Sequence, residues 1–272
     1  MVSEGPSIEA IDVPFAGRTF RLSTAEGTDL VASKIKAGSY EAPLPMIFAA
    51  IVSRTSGLFL DVGANNGVYS LIASAVRPGI RSLAFEPFPP VIALLRENIE
   101  LNGLQDEIDI VEVALSDEES MVPIYLPDQG HGLVETSASL QAGFIAGAEA
   151  AMMVQTRKLD DIDITDVISV IKVDIEGFEL EFLRGADNTL RRDRPFVFAE
   201  MLGAVEHKFP EITRRLSDLD YLAFRLRTDA AILAHWITFD QSAWNYALVP
   251  REKLPLFRSV CIEHGLEILA PA

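Results

Sequence analysis

Short apolar runs alternate along most of the chain with segments whose apolar residues recur every three or four positions. The runs at Leu58–Val62, Ser82–Phe85, Ile108–Val113, Val170–Asp174, Phe196–Ala199, Tyr221–Leu226 and Tyr246–Val249 predict strands. Between them, Val68–Ala75, Val91–Asn102, Glu179–Arg192 and Ile212–Leu219 carry helical spacing. Repeated β-then-α units lay successive strands parallel and place helices on both faces, which predicts an α/β fold with a mostly parallel sheet.

Ahead of this region, Ile11–Phe15 and Thr19–Leu22 read as a strand pair turned at Gly17 and Arg18. Two helices are expected near Thr28–Lys36 and Pro43–Arg54, the second opened by its proline. The chain therefore divides into a cap, residues 1–56, and a main domain, residues 57–272. One stretch breaks the rhythm. From Ser116 to about Thr165 the sequence is rich in Gly, Ala, Ser and Gln, and too long for a simple connection. It is expected to be an inserted loop, about 116–165, and long loops in compact domains commonly serve as lids over sites.

Composition narrows the function classes. Hydrophobic residues make up 49% of the chain, enough for a large core, which excludes disorder. Forty acidic against 23 basic residues give a net charge of −17, so the surface should repel both nucleic acid and anionic membranes. The first thirty residues contain no apolar signal core, and the most membrane-like run, Phe144 to Val154, includes Glu149 and is about half a bilayer span. A single cysteine cannot form an internal disulfide, so a cytoplasmic location is expected.

The first candidate site is Phe59-Leu-Asp-Val-Gly-Ala-Asn-Asn-Gly-Val68, an apolar strand running through a glycine-bearing turn into a helix. Asp61 stands at the strand's carboxyl end, where open α/β sheets bind ligands, and Gly63 and Gly67 permit a tight turn. Glu86 ends the next strand, where an acid can accept hydrogen bonds from both hydroxyls of a ribose. A pyrophosphate ligand would call for a G-x-G-x-x-G turn. Here the turn is G-A-N-N-G beside an aspartate, which suits a cationic nucleoside, S-adenosylmethionine, better than a dinucleotide. Pro87, Ala114 and Leu115, at the ends of the second and third strands, would line the crevice around the adenine.

The second candidate site is Lys172-Val-Asp-Ile-Glu-Gly-Phe-Glu179, together with Glu200 at the end of the following strand. With these strands adjacent, Asp174, Glu176 and Glu200 converge at one sheet edge, where they can bind hydroxyls, remove a proton or hold a divalent cation. Two carboxylates alone do not specify a metal, and no metal ligands are predicted.

The motifs Asp61-Val-Gly-Ala-Asn, Phe85-Glu-Pro, Asn98–Asn102, Ala114-Leu-Ser, Lys172-Val-Asp-Ile-Glu-Gly-Phe-Glu and Leu183-Arg-Gly-Ala resemble those of the FkbM-type methyltransferases, in the right order from about Tyr40-Glu41 to Glu200. Asn66 departs from the pattern, standing where many relatives carry a small or aliphatic residue. The resemblance implies a Rossmann-like class I methyltransferase fold, a seven-stranded sheet with its last strand antiparallel. It also implies O-methylation of a sugar or natural-product hydroxyl. By it, Asp61, Gly63, Asn65 and Glu86 bind the cofactor, while Asp174, Glu176 and Glu200 line the reaction site.

Removing a proton from the acceptor needs a base, for which Asp174 and Glu200 lead and Glu176, His131 and His207 follow. His235, in an apolar run, is expected in the core, and His264 on the surface. Acceptor contacts are expected from Tyr40, Glu41, Glu176 and Glu200, with core packing the more frequent role for Trp236, Phe239 and Trp244. The expected partner is a small hydroxylated molecule, with a homodimer left open. The rival readings are an NAD-dependent oxidoreductase and a non-catalytic nucleoside-binding module.

Overall fold

The computed structural model describes residues 9–24, 34–35, 40–126, 139–140 and 149–270. His131, and the helix expected near Thr28–Lys36 apart from residues 34–35, lie outside the described residues.

All seven expected strands form one sheet. Its centre is β3 (Leu58–Val62), β4 (Ser82–Phe85), β5 (Ile108–Val111), β9 (Ile168–Val173) and β10 (Phe196–Glu200), paired in parallel in the order β5-β4-β3-β9-β10. Next comes β13 (Asn245–Pro250), antiparallel to both β10 and β11 (Tyr221–Leu226). The sheet does not stop at seven. β12 (Ala230–Ala234) and β14 (Glu267–Leu269) extend that side, making nine strands among the described residues.

β3, β9, β10 and β13 are buried along their whole lengths, which is why they read as unbroken apolar runs. Alternation of side chains divides them between two cores. Phe59, Val170, Phe198 and Ala247 face one side, under α1 (Leu44–Val52), α2 (Val68–Val76) and α7 (Leu254–Glu263). Leu60, Ile171, Val197 and Leu248 face the other, against α4 (Glu179–Gly185), α5 (Asp187–Asp193) and α6 (Phe209–Asp218). α3 (Pro89–Leu101) sends Leu95 and Ile99 to the first core.

The single helix expected over Glu179–Arg192 is two. The break falls at Ala186, whose φ of −116° and ψ of 10° leave the helix, just after Gly185, where a Cβ would stand 1.9 Å from the Ser116 carbonyl oxygen. Asp160 then starts α5 afresh by accepting from the Asn188 and Thr189 amides. The inserted stretch is also more ordered than a plain loop. β7 (Ser120–Leu126) and β8 (Glu149–Arg157) form an antiparallel pair, joined in parallel by β6 (Ala114–Leu115).

The N-terminal hairpin, β1 (Glu9–Phe15) with β2 (Arg18–Thr24), is a separate two-stranded sheet, yet Val13, Phe20 and Leu22 join the first core. It is pinned by α3. Asn98, fully buried, accepts from the Ser23 amide at 2.7 Å and donates to the Asn66 carbonyl at 2.8 Å. Asn102 likewise accepts from the Arg21 amide. One side chain thus ties the hairpin to the glycine turn after β3. Asn98→Ala would leave a buried amide and a buried carbonyl without partners and is expected to cost about 2–4 kcal/mol of stability in denaturant unfolding. A loss below about 0.5 kcal/mol would contradict this role.

Candidate active site

Register places the chemistry at the carboxyl ends of the parallel strands. Asp61 pairs with Lys172, Lys172 with Phe198, and Glu200 with Asn245. With side chains alternating, Asp61, Lys172, Asp174, Glu200 and Asn245 share the sheet face that α1 and α2 cover. Two connected regions result, a cleft and a carboxylate cluster.

The cleft lies beside β3, β4 and β6 and is lined by Gly63, Asn65, Glu86, Pro87, Ala114, Leu115, Asp174 and Glu176, among others. Gly63 has a positive φ of 76°, and a Cβ there would stand 1.9 Å from the Asp174 carbonyl oxygen. The reason for glycine is thus the close approach of the Asp174 backbone, whose amide donates to the Val62 carbonyl. Asn65 also has a positive φ, a conformation asparagine tolerates, and its amide donates to Glu86 Oε2 at 3.0 Å. The Phe88 amide donates to Glu86 Oε1, so both oxygens are fixed at the cleft wall. Phe85, Val113, Ile124 and Leu140 give the cleft its apolar side. Leu140 comes from the inserted stretch, held there by Ser139, whose hydroxyl donates to the Glu176 carbonyl at 2.7 Å. The described lining contains three acids, Glu86, Asp174 and Glu176, and no lysine or arginine.

Two of the expected cofactor residues stand elsewhere. Asp61 is buried behind the turn, where Oδ2 accepts from the Ser70 amide at 3.0 Å and its hydroxyl at 2.7 Å, binding the start of α2 to β3. Gly67 precedes α2 in a left-handed conformation, and a Cβ there would meet Leu95 at 2.5 Å.

The cluster lies on the other side of Asp174. Phe48 of α1 packs edge-on against Phe59, Phe198 and Tyr69, with ring centroids 5.0–5.8 Å apart, which fixes the start of α1 over the sheet edge. Tyr40 and Glu41, just before this helix, are thereby brought to residues more than 100 positions away. One acceptor oxygen each from Glu41, Asp174 and Glu200 lies within 4.8 Å of the others. Each carboxylate is held by a different donor. Tyr69 donates its hydroxyl to Glu41 at 2.6 Å, Lys172 Nζ approaches Asp174 at 3.3 Å, and the Trp244 indole N–H donates to Glu200 at 3.2 Å. Lys172 is 1% exposed and also lies 5.0 Å from the Tyr69 ring centre. Burial opposes its charge, but Asp174, Glu41, Glu200 and Asp61 together raise its pKa, so it stays an ammonium. Burial and the Asp174 charge push Glu200 well up, and burial with Glu41, Asp174 and Glu200 nearby does the same to Tyr40.

Lys172 went unassigned in the sequence, although a lysine within an apolar strand two residues before Asp174 was a visible signal. The histidines are more distant. His207 is exposed on the turn at Gly203–Lys208, with no hydrogen bond to the cluster among the described residues. His235 is exposed rather than in the core, since β12 ends at Ala234. Trp236 and Phe239 are also exposed, against the expectation of core packing. The nearby basic residues serve internal pairs: Arg184 and Arg215 with Glu211, Lys208 with Glu181, Arg225 with Asp240.

A family profile described as the methyltransferase FkbM domain matches residues 61–223, from Asp61 through both site motifs to β11. The chain belongs to the FkbM methyltransferase family. Among its relatives, 2-O-methyltransferase NoeI of Sinorhizobium fredii is 26% identical over 56% of this chain and 65% of its own length. Hexuronic acid methyltransferase AglP of Haloferax volcanii is 30% identical over 58% of this chain and 60% of its own. The chain thus spans only 60–65% of the length of the first curated relatives it matches. The crystal structure of a methyltransferase FkbM from Methylobacillus flagellatus superposes with a TM-score of 0.50 at 17% identity, over 80% of this chain and 52% of that one, which shows a shared fold. No described helix is long and apolar enough to cross a membrane.

Burial is the largest cause raising Asp61, Glu86 and Glu179 to about 7 and Glu176 to about 8. Each of these acids holds its proton more tightly folded than unfolded. Their contribution to stability is full below the ordinary carboxyl range near pH 4 and is lost as pH rises through 7 to 8. Carboxylates with lowered pKa, such as Asp193 and Glu211, matter only at lower pH. The ligand-free protein is therefore expected to melt at progressively lower temperature between about pH 5 and 8, with a shallower slope in Glu179→Gln. A melting temperature that is flat or rises across this window would contradict the burial of these acids.

Proposed function

We propose that the chain is an S-adenosylmethionine-dependent O-methyltransferase acting on a hydroxyl of a saccharide or hydroxylated natural product. The observation that carries this reading is the position of Asp174, on the wall shared by the cleft and the carboxylate cluster.

The donor set of the cleft fits the cofactor. Glu86, fixed by two amides, offers its remaining lone pairs to a ribose diol, and Pro87, Ala114 and Leu115 offer contacts to an adenine. Asp174 offers negative charge to a sulfonium and an ammonium, and the described lining has no cation to hold a diphosphate. That composition, with family membership, favours this cofactor over NAD. Asp61 acts by positioning, keeping the turn and α2 in place through Ser70.

S-adenosylmethionine, when bound, would supply an electrophilic methyl group on a positively charged sulfur, a neutral thioether being the leaving group. The chain's own part is to orient the hydroxyl and relieve it of its proton. Asp174 and Glu200 are the acceptors for that proton, and Glu41 and Tyr40 lie beside them to hold neighbouring hydroxyls. Holding both reactants in line supplies much of the rate. Relatives named as a 2-O-methyltransferase and a hexuronic acid methyltransferase support an oxygen nucleophile on a sugar.

Mass spectrometry across a panel of glycosides, uronic acids and hydroxylated metabolites should find one acceptor that gains a methyl group on oxygen. Asp174→Asn and Glu200→Gln are expected to lower kcat about 100-fold or more. Glu86→Ala should instead weaken cofactor binding about 10- to 100-fold in calorimetry. Transfer only to amines or protein would refute the acceptor class. Binding of NAD in place of S-adenosylmethionine would refute the reading outright, and cofactor binding without turnover on any acceptor would favour a nucleoside-binding module.

A further inference from the structure

We propose that Glu41, Asp174 and Glu200, together with the Asn245 side-chain oxygen, form a site for one hard divalent cation such as magnesium or manganese. Its use in methyl transfer rests on the function proposed above. The site itself is argued from its own geometry.

The carboxylate spacing comes first. Three oxygens within 4.8 Å of one another share a centre no more than about 2.8 Å from each. That is close to the roughly 2.3–2.6 Å of calcium–oxygen contacts and a small side-chain adjustment from the roughly 2.0–2.1 Å of magnesium. All donors are oxygens, the chemistry that hard cations select.

A second, independent observation is Asn245. It is 6% exposed, and its Oδ1 is buried without a hydrogen-bond partner among the described residues. A buried amide oxygen in that state costs free energy until a donor or a cation meets it. β13 runs antiparallel to β10 with Asn245 directly opposite Glu200, so both side chains leave the same face of the sheet at the same height. The register thus brings Asn245 to the Glu200 corner of the triangle, where its unsatisfied oxygen is the proposed fourth donor.

Outer contacts orient the ligands as metal sites require. Tyr69, Lys172 and Trp244 each take one oxygen of a different carboxylate. Asp174 and Glu200 each keep a second oxygen with no hydrogen bond among the described residues. A coordinated acceptor hydroxyl would lose its proton more readily, which is what methylation of an alcohol demands.

The test uses the full chain, stripped with a chelator and titrated with manganese chloride. Bound ion is counted by electron paramagnetic resonance, with magnesium chloride as competitor. The expected result is one manganese per chain, displaced by magnesium. Affinity should weaken about 10-fold or more in Glu41→Gln and in Asn245→Leu, each checked for folding by circular dichroism. Glu112→Gln, on an exposed residue paired with Arg96, should bind as the wild type does. Absence of saturable binding at millimolar manganese would overturn the proposal. So would binding that is unchanged in folded Glu41→Gln or Asn245→Leu. Calorimetry with S-adenosylmethionine on the stripped protein separates the two readings. Manganese binding without cofactor binding sinks the function and leaves the ion site, and the reverse pattern sinks the ion site alone.

Discussion

One buried ammonium organises the middle of this molecule. Lys172 sits in the central strand β9, almost wholly out of water, 3.3 Å from Asp174 and against the face of Tyr69. A lone charge there would be prohibitively costly, and so would the acids around it. Lys172 and its acids are tolerable only together. That requirement links β3 through Asp61, β9 through Asp174, β10 through Glu200 and the approach to α1 through Glu41. The segment before α1 and the sheet edge are thus held in register by charge as well as by the Phe48 contacts.

Asp174 is where this constraint meets the ligand cleft. Its backbone forces glycine at position 63, its amide extends the β3 pairing, and its side chain answers to Lys172. The turn that shapes the cleft and the carboxylate cluster are therefore not independent modules. A shift at Asp174 displaces both.

The central sheet could be read from sequence because β3, β9, β10 and β13 are covered on both faces, so burial shows as continuous apolar runs. β14 could not, being three residues at an edge, and β12, Ala230-Ala-Ile-Leu-Ala, has no pattern specific to a strand. β7 contains Pro123 and β8 is rich in Ala and Met, so the inserted stretch read as loop. The break at Ala186 lies within a stretch whose helical periodicity continues through it, so the spacing alone did not show it. At the site, Gly63, Asn65 and Glu86 stood out because turn and strand end are local in sequence. Asp61 looked like a ligand for the same local reason, yet its partner is Ser70, nine residues on. Glu41 was already expected as an acceptor contact, whereas Trp244 and Asn245 come beside Glu200 only through the long-range pairing of β13 with β10.

The dependence of this arrangement on the Lys172–Asp174 pair is tested most directly by a double-mutant cycle for stability with Lys172→Met and Asp174→Asn. Mutual compensation predicts that each single change is strongly destabilising and that the double variant recovers at least about 1 kcal/mol relative to their sum. Additivity within about 0.5 kcal/mol would mean that the two residues do not rely on each other, and the account of the site built on them would fail.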